Sequence, residues 1–255
     1  MAEEEQKLVK TYGVSPYKGE YSDNAMNRFE NLEGIAGKIL NHFYYSTSRH
    51  AQNLWRILKY DDEYALITEE ESSAHGHPDV SAVEKKNLVF FNDSNGQSVN
   101  KRFFLQPFVD DAWSEQCSSV YVYVDEVHPT DYTRANIIVT VEAVVHSKIS
   151  LLEGNIEEND NDEAKKSSQY NPNDFSKQGD IVVAWKNRAT VLLKSIIAEL
   201  NGLYLDGIGY LFIDPKLDAS TGAKLSLWNS RSFYGYTIKF AMKMGNVSDD
   251  PDIGF

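Results

Sequence analysis

The chain has 255 residues, 38 acidic against 25 basic side chains, and a formal net charge of −13 at pH 7. A surface this acidic repels phosphate backbones, which argues against a sequence-independent DNA-binding face. Cys117 is the one cysteine, so an internal disulfide is excluded. No apolar run approaches the ~20 residues that span a bilayer. The acidic residues at positions 3–5 are unlike a leader peptide, so we expect synthesis in a reducing cytoplasm without membrane insertion.

Residues 1–24 are predicted to form an N-terminal arm without a core of its own. The segment is polar, and Tyr12, Tyr17 and Tyr21 stand among glycines and a proline. Tyrosine rings supply large contact area at low entropic cost, so the arm suits docking on a neighbouring subunit. Packing on its own domain is an equally good interpretation.

Two helices are predicted after the arm. The first has an apolar face that includes Leu32, Ile39 and Phe43 at helical spacing. Ser48 is a candidate N-cap for the second. The apolar face of the second helix comprises Ala51, Leu54, Trp55 and Leu58. The charged residues 61–84 are predicted to be mostly loop, with a possible short helix.

Strands are predicted through the middle of the chain. Residues 88–91 and 102–108 flank Asn95-Gly96, a strong signal for a β-hairpin. Valine and tyrosine alternate over 120–124, which predicts a strand with two different faces. The next strand places an apolar series on one face: Ile137, Val139, Val141, Ala143 and Val145. Its other face is half apolar, so we expect something to cover part of it.

An acidic loop is predicted at 153–179. Six acidic residues fall between Glu153 and Glu163, and apolar residues are almost absent from the segment. Such a stretch cannot bury enough apolar surface to offset its ordering entropy. We expect it to become ordered only in an assembly, where Tyr170 and Phe175 would be interface anchors.

The last third predicts one long helix over 182–200 followed by two strands. Gly202 is a candidate helix C-cap, and strands are expected at 210–213 and 234–244. The fold class is therefore α+β: a mainly antiparallel sheet packed against this helix and the two N-terminal helices, in a single domain spanning 25–255. The expected core comprises Trp185, Leu192, Leu193, Ile196, Leu200, Val139, Val141 and Val145.

Candidate chemistry is sparse. His75 and His77 lie near several carboxylates, but a His-x-His pair without further ligands at a recognisable spacing is weak support for a metal site. Residues 159–163 resemble part of a calcium loop but lack its glycine and terminal glutamate. No nucleophile elbow, phosphate loop or zinc-protease motif is present. The sequence therefore predicts no catalytic residue, no cofactor and no metal.

Several sequence segments resemble those of virion proteins of long-tailed bacteriophages, of the neck or tail-terminator type that joins head and tail. They are LWRILKY at 54–60, KRFFLQPFVDDAW at 101–113, VYVYVDEVHP at 120–129, VVHSKI at 144–149, GIGYLFID at 207–214 and FYGYTIKFAMKMG at 233–245. The resemblance spans most of residues 30–245. The acidic stretch 153–179 departs from the family's pattern.

This resemblance implies a structural α+β subunit of a ring, commonly a hexamer, that joins the tail tube to the head connector without catalysis. The implied partners are copies of itself and the phage connector, tail tube or sheath proteins. DNA would pass only as a non-specific contact in the lumen, and the protein would be located in the virion. Two alternatives stay open: a non-viral scaffold or adaptor, and a carbohydrate-binding or hydrolytic module.

Overall fold

A computed structural model describes residues 31–90, 100–107, 116–129, 134–153, 185–206, 208–216 and 218–245. The arm at 1–24 and nearly all of the acidic segment 153–179 lie outside these residues, as does Asn95-Gly96. The four helices of the described part are α1 (Asn31–Tyr45), α2 (Arg49–Lys59), α3 (Ala82–Leu88) and α4 (Arg188–Leu200). The predicted α+β class, with a mostly antiparallel sheet, is confirmed.

Nine strands are described. They are β1 (Phe103–Phe104), β2 (Ser118–Pro129), β3 (Arg134–His146), β4 (Leu151–Glu153), β5 (Trp185–Asn187), β6 (Tyr204–Leu205), β7 (Gly209–Phe212), β8 (Gly222–Trp228) and β9 (Phe233–Gly245). The main sheet has the order β1-β2-β3-β9-β7-β6, and β8 also pairs with β9. β4 and β5 form a separate two-stranded sheet.

The central pair of the main sheet is β3 and β9, which are aligned from Arg134↔Gly245 to His146↔Phe233. β7 and β8 share the far side of β9, with β7 paired to residues 241–242 and β8 to residues 233–239. Among the strands that the structure describes, the main sheet has one parallel pairing, that of β1 with β2.

Helices cover one face of this sheet, the inner face. α1 packs on β2 and β6, α4 packs on β3 and β9, and α2 packs on α4. Ser48 caps α2 as predicted, its hydroxyl accepting a hydrogen bond from the Ala51 amide. The predicted inner-face series of β3 is fully buried in this core, as are Leu192, Ile196 and Leu200 of α4.

The opposite, outer face of the sheet is partly covered, as its apolar content predicted. Phe104, Tyr121, Val144 and Phe233 form a second buried cluster there. Phe90 and Trp228 pack against it.

Two predictions about the strands and helices were wrong. The predicted helix 182–200 begins only at Arg188, because residues 185–187 pair as β5 with β4 and the Asn187 side chain caps the helix through the Thr190 amide. The predicted hairpin is also absent from the described residues. The first residue of its first arm, Leu88, ends α3, and Val89 then pairs with Phe103 in a parallel bridge, which a two-strand hairpin cannot make.

The position of α4 is tested by two adjacent leucines. Leu192 is fully buried, whereas Leu193, which the sequence had placed in the core, is only partly buried at its margin. Leu192→Ala should lower the free energy of unfolding by about 2–5 kcal/mol, since it leaves a cavity. Leu193→Ala is the matched control and should cost clearly less. Equal losses in chemical denaturation would contradict this helix orientation.

Candidate functional site

The predicted interface anchors are not brought together by the described structure. Tyr12, Tyr17, Tyr21, Tyr170 and Phe175 all lie outside the described residues. Their role in assembly therefore stays a prediction.

The His-x-His pair packs on tyrosines. The His77 ring stacks on Tyr60 with centroids 3.9 Å apart, and His75 stacks on Tyr64 at 4.5 Å. His77 Nε2 also lies 2.9 Å from an Asp62 carboxylate oxygen. Among the described residues no group of three or more His, Cys, Asp or Glu side chains is arranged to hold a metal ion.

Arg188, the first residue of α4, is a buried cation that the sequence analysis did not single out. Its guanidinium donates hydrogen bonds to four backbone carbonyls: Ile149 at 2.9 Å, Ile57 at 3.1 Å, Tyr60 at 2.7 Å and Asp62 at 2.6 Å. Burial lowers the pKa of Arg188, and the nearby Asp61 and Asp62 act in the opposite direction. This residue joins α4 to the end of α2 and to the segment after β3.

Arg56 does the same for the turns that follow α2. Its guanidinium donates to the carbonyls of Ala65 at 3.0 Å and His77 at 2.8 Å, and also to that of Ile67. Asp79 Oδ1 accepts a further bond at 3.2 Å. A planar group with five N–H donors suits such clusters of carbonyls. Both arginines are therefore structural.

A polar cluster links α1 to α4 around Glu199. Its carboxylate lies 3.0 Å from His42 Nε2 and accepts hydrogen bonds from the hydroxyls of Ser46, at 3.1 Å, and Ser48. Serine, histidine and glutamate here differ from a catalytic triad, since a nucleophile must bond to the histidine. In the contacts described both hydroxyls donate to the carboxylate. An open cleft of about 860 Å³ lies beside this cluster, between the end of α1 and β6.

β8 is the most unusual surface element. Leu225 and Leu227 are 56% and 58% exposed, although they pair with the partly buried Tyr236 and Tyr234 of the inner face. The strand keeps a regular one-to-one register with β9 from Gly222↔Lys239 to Trp228↔Phe233. Among the described strands it pairs only with β9. An edge strand that is regular and apolar is a template for pairing with another chain.

The opposite edge of the sheet has a different character. β1 pairs with β2 only at Val120 and Tyr121, so among the described strands residues 122–129 pair on one side alone. The register of β2 against β3 shifts between Val124 and Glu126, which marks a β-bulge.

The bulge carries a charged network. Lys239 lies 2.6 Å from Asp125 Oδ2 and 3.1 Å from Glu126 Oε1, and His128 Nε2 lies 2.8 Å from Glu126 Oε2. These contacts with His128 and Lys239 lower the pKa of Glu126, so its carboxylate is charged at neutral pH. Nearby, burial raises the pKa of Glu142 on the same outer face.

An aromatic ladder lies on the edge formed by β6 and β7. Tyr204 and Tyr210 are each 52% exposed, with ring centroids 4.8 Å apart, and Tyr210 stacks with Phe212 at 5.8 Å. β6 is the last strand in the order of the sheet. Five of the eight exposed large apolar or aromatic side chains of the described surface lie on β8 and on this hairpin; the other three are Tyr45, Val83 and Leu151.

No family model, curated protein or solved structure matches the chain. Within the described residues, no helix is long and apolar enough to cross a membrane.

Arg188 is tested against an arginine at the equivalent position of another helix. Arg188→Lys keeps the charge but cannot reach four carbonyls, and each buried carbonyl left unpaired costs about 1–3 kcal/mol. We expect unfolding free energy to fall by several kcal/mol. Arg49→Lys, at the exposed first residue of α2, is the control and should change stability by less than about 0.5 kcal/mol. Equal stability of the two variants in urea denaturation would show that the carbonyl cluster is dispensable.

Proposed function

We propose that the chain is a structural subunit of a phage neck or tail-terminator ring, which joins the tail tube to the head connector and turns over no substrate. The observation that carries the proposal is β8. It is a regular strand with two exposed leucines, and among the described strands it pairs on one side alone. Such an edge is costly in a monomer and useful in a subunit that meets other copies.

The remaining features agree with this role. The net charge of −13 is unsuited to gripping DNA and would let a passing strand move without sticking. The buried arginines and the Glu199 cluster stabilise the fold by hydrogen bonds to groups of the chain itself. The resemblance of several sequence segments to phage neck proteins supports the same role in the neck or tail. A hexameric ring, with the connector and the tube or sheath as neighbours, is part of the proposal.

Association should depend on the leucines of β8. Burying one leucine contributes about 1.5–3 kcal/mol, so the double change Leu225→Thr and Leu227→Thr should weaken self-association at least tenfold. Threonine keeps the strand propensity, which protects the fold. Val83→Thr is the matched control, because Val83 is 71% exposed on α3, away from the sheet edge. Analytical ultracentrifugation over a concentration series measures the effect.

An oligomer that is unchanged by the double substitution would contradict the part of the proposal that depends on β8. Loss of the gene provides the biological test: particles should have heads and tails that fail to join, or tails of irregular length. Normally joined, infectious virions that lack the protein would overturn the proposed role and favour the scaffold alternative.

A carbohydrate-binding module is the second candidate, and the aromatic ladder is the observation that favours it. The exposed rings of Tyr210 and Phe212 lie within 25° of parallel, and Tyr204 is tilted by 49° to Tyr210; such rings on a sheet edge present apolar faces on which sugar rings can stack. Titration calorimetry with soluble oligosaccharides distinguishes the candidates. Heat of binding that disappears in Tyr210→Ala would support this second function. Absence of binding heat with every oligosaccharide tested would contradict it for those sugars.

A further inference from the structure

Among the described strands, β8 and residues 122–129 of β2 each pair on one side alone, and these two edges have matching polarity. Each neighbouring pair in the series β2, β3, β9, β8 is antiparallel, so β8 runs opposite to β2. Through these registers Gly222 lies level with Tyr123 of the same chain, so residues 124–129 of β2 extend beyond the end of β8. If copies of the chain stand in the same orientation, each displaced along the strands relative to the last, β8 of one copy meets this part of β2 of the next in antiparallel sense. Such a head-to-tail contact is heterologous, and it generates a ring when the rotation from copy to copy closes.

The side chains of these edges also match face by face. Leu225 and Leu227 lie on the inner-face side of β8. On β2, Val124 and Val127 lie on the inner face and are only partly buried at the margin of the core. Placing these strands side by side would cover exposed leucines with apolar neighbours. It would also bring α1 of the second copy, which packs on its own β2, towards the leucines of the first.

Charge favours the same arrangement. Lys224 is exposed and pairs with Thr237 of β9. Because Thr237 is on the outer face of the sheet, Lys224 is on the outer face of β8. The bulge of β2 directs Asp125 and Glu126 to the outer face, where Asp125 accepts a bond from Thr140 and both carboxylates contact Lys239. Two carboxylates thus share one lysine within the chain, and a second lysine from a neighbour would complement them.

We infer that β8 of one copy pairs antiparallel with residues 122–128 of the next copy, extending the sheet from subunit to subunit. The occupant of the open apolar strand is therefore a second copy of this chain. This inference rests on the proposed function, because it names the interface that a ring of these subunits uses. A pairing of β8 with β8 would place Lys224 beside an identical strand without carboxylates and would end at a dimer.

The test is cross-linking of the full-length double variant Lys224→Cys, Glu126→Cys with a short bis-maleimide. Three strand spacings, about 14 Å, separate these edges within one chain, which is too far for the short reagent. Head-to-tail pairing should therefore give a ladder of covalent multimers beyond the dimer on a denaturing gel. The matched control is Lys224→Cys, Glu70→Cys, because Glu70 is exposed in the turns after α2. The unsubstituted chain, with Cys117 buried, is the blank.

The mass of each uncross-linked sample is measured in parallel by native mass spectrometry. An oligomer that yields no ladder would overturn this pairing and leave the proposed ring intact. A covalent dimer from Lys224→Cys alone, at the same rate as the double variant, would also overturn it in favour of β8 against β8. A chain that stays monomeric at every concentration, and in the presence of tail proteins, would overturn the proposed function as well.

Discussion

The burial of the Arg188 guanidinium is the constraint on which the arrangement of the helices depends. A buried cation must have its donors satisfied, and here four carbonyls from two separate parts of the chain do this. Three of them, Ile57, Tyr60 and Asp62, fix the end of α2 against the start of α4. The fourth, Ile149, fixes the segment that leaves β3. The helical layer is therefore held in one position over the sheet.

That position leaves the sheet unevenly covered. α1 lies on β2 and β6, and α4 lies on β3 and β9, so the inner face of the central strands is closed. β8 extends beyond this layer, and its leucines are exposed for that reason. The β2 edge, in contrast, carries a bulge and charged side chains, which are devices that limit indiscriminate pairing. The charged, bulged edge of β2 and the apolar edge of β8 differ from each other, so they suit a contact in which β8 of one copy meets β2 of the next.

Periodicity predicted the elements whose stability depends on their own apolar faces. Alternation over residues 120–124 and 137–145 gave two long strands of the sheet, and helical spacing together with the Ser48 cap gave α2. Local sequence patterns gave wrong predictions where pairing with a residue distant in the sequence determines the structure. Asn95-Gly96 is a strong local turn signal, yet Val89 and Phe103, which lie on either side of it in the sequence, pair in a parallel bridge instead of an antiparallel one. The start of α4 was misplaced because residues 185–187 pair with β4, which no local pattern reports.

The features that organise the surface were not visible in the sequence for a related reason. An arginine at a helix start is usually a solvated charge, and nothing local distinguishes Arg188, which is buried, from Arg49, which is exposed. The need for glycine at position 235 is also set by a distant part of the chain. A Cβ atom there would lie 1.8 Å from the Ala143 carbonyl oxygen, because β3 pairs with β9. Leu225 and Leu227 were indistinguishable from core residues until the sheet order placed β8 at an edge. Long-range pairing is what gives these residues their roles.

A cryo-electron microscopy map of the assembled particle tests the central claim most directly, because it shows what lies against the open side of β8. The account predicts a strand of a neighbouring copy at the ordinary strand spacing of about 4.8 Å, running antiparallel, with Leu225 and Leu227 covered by that neighbour. A map in which β8 faces solvent, or is covered by another segment of its own chain, would contradict the account.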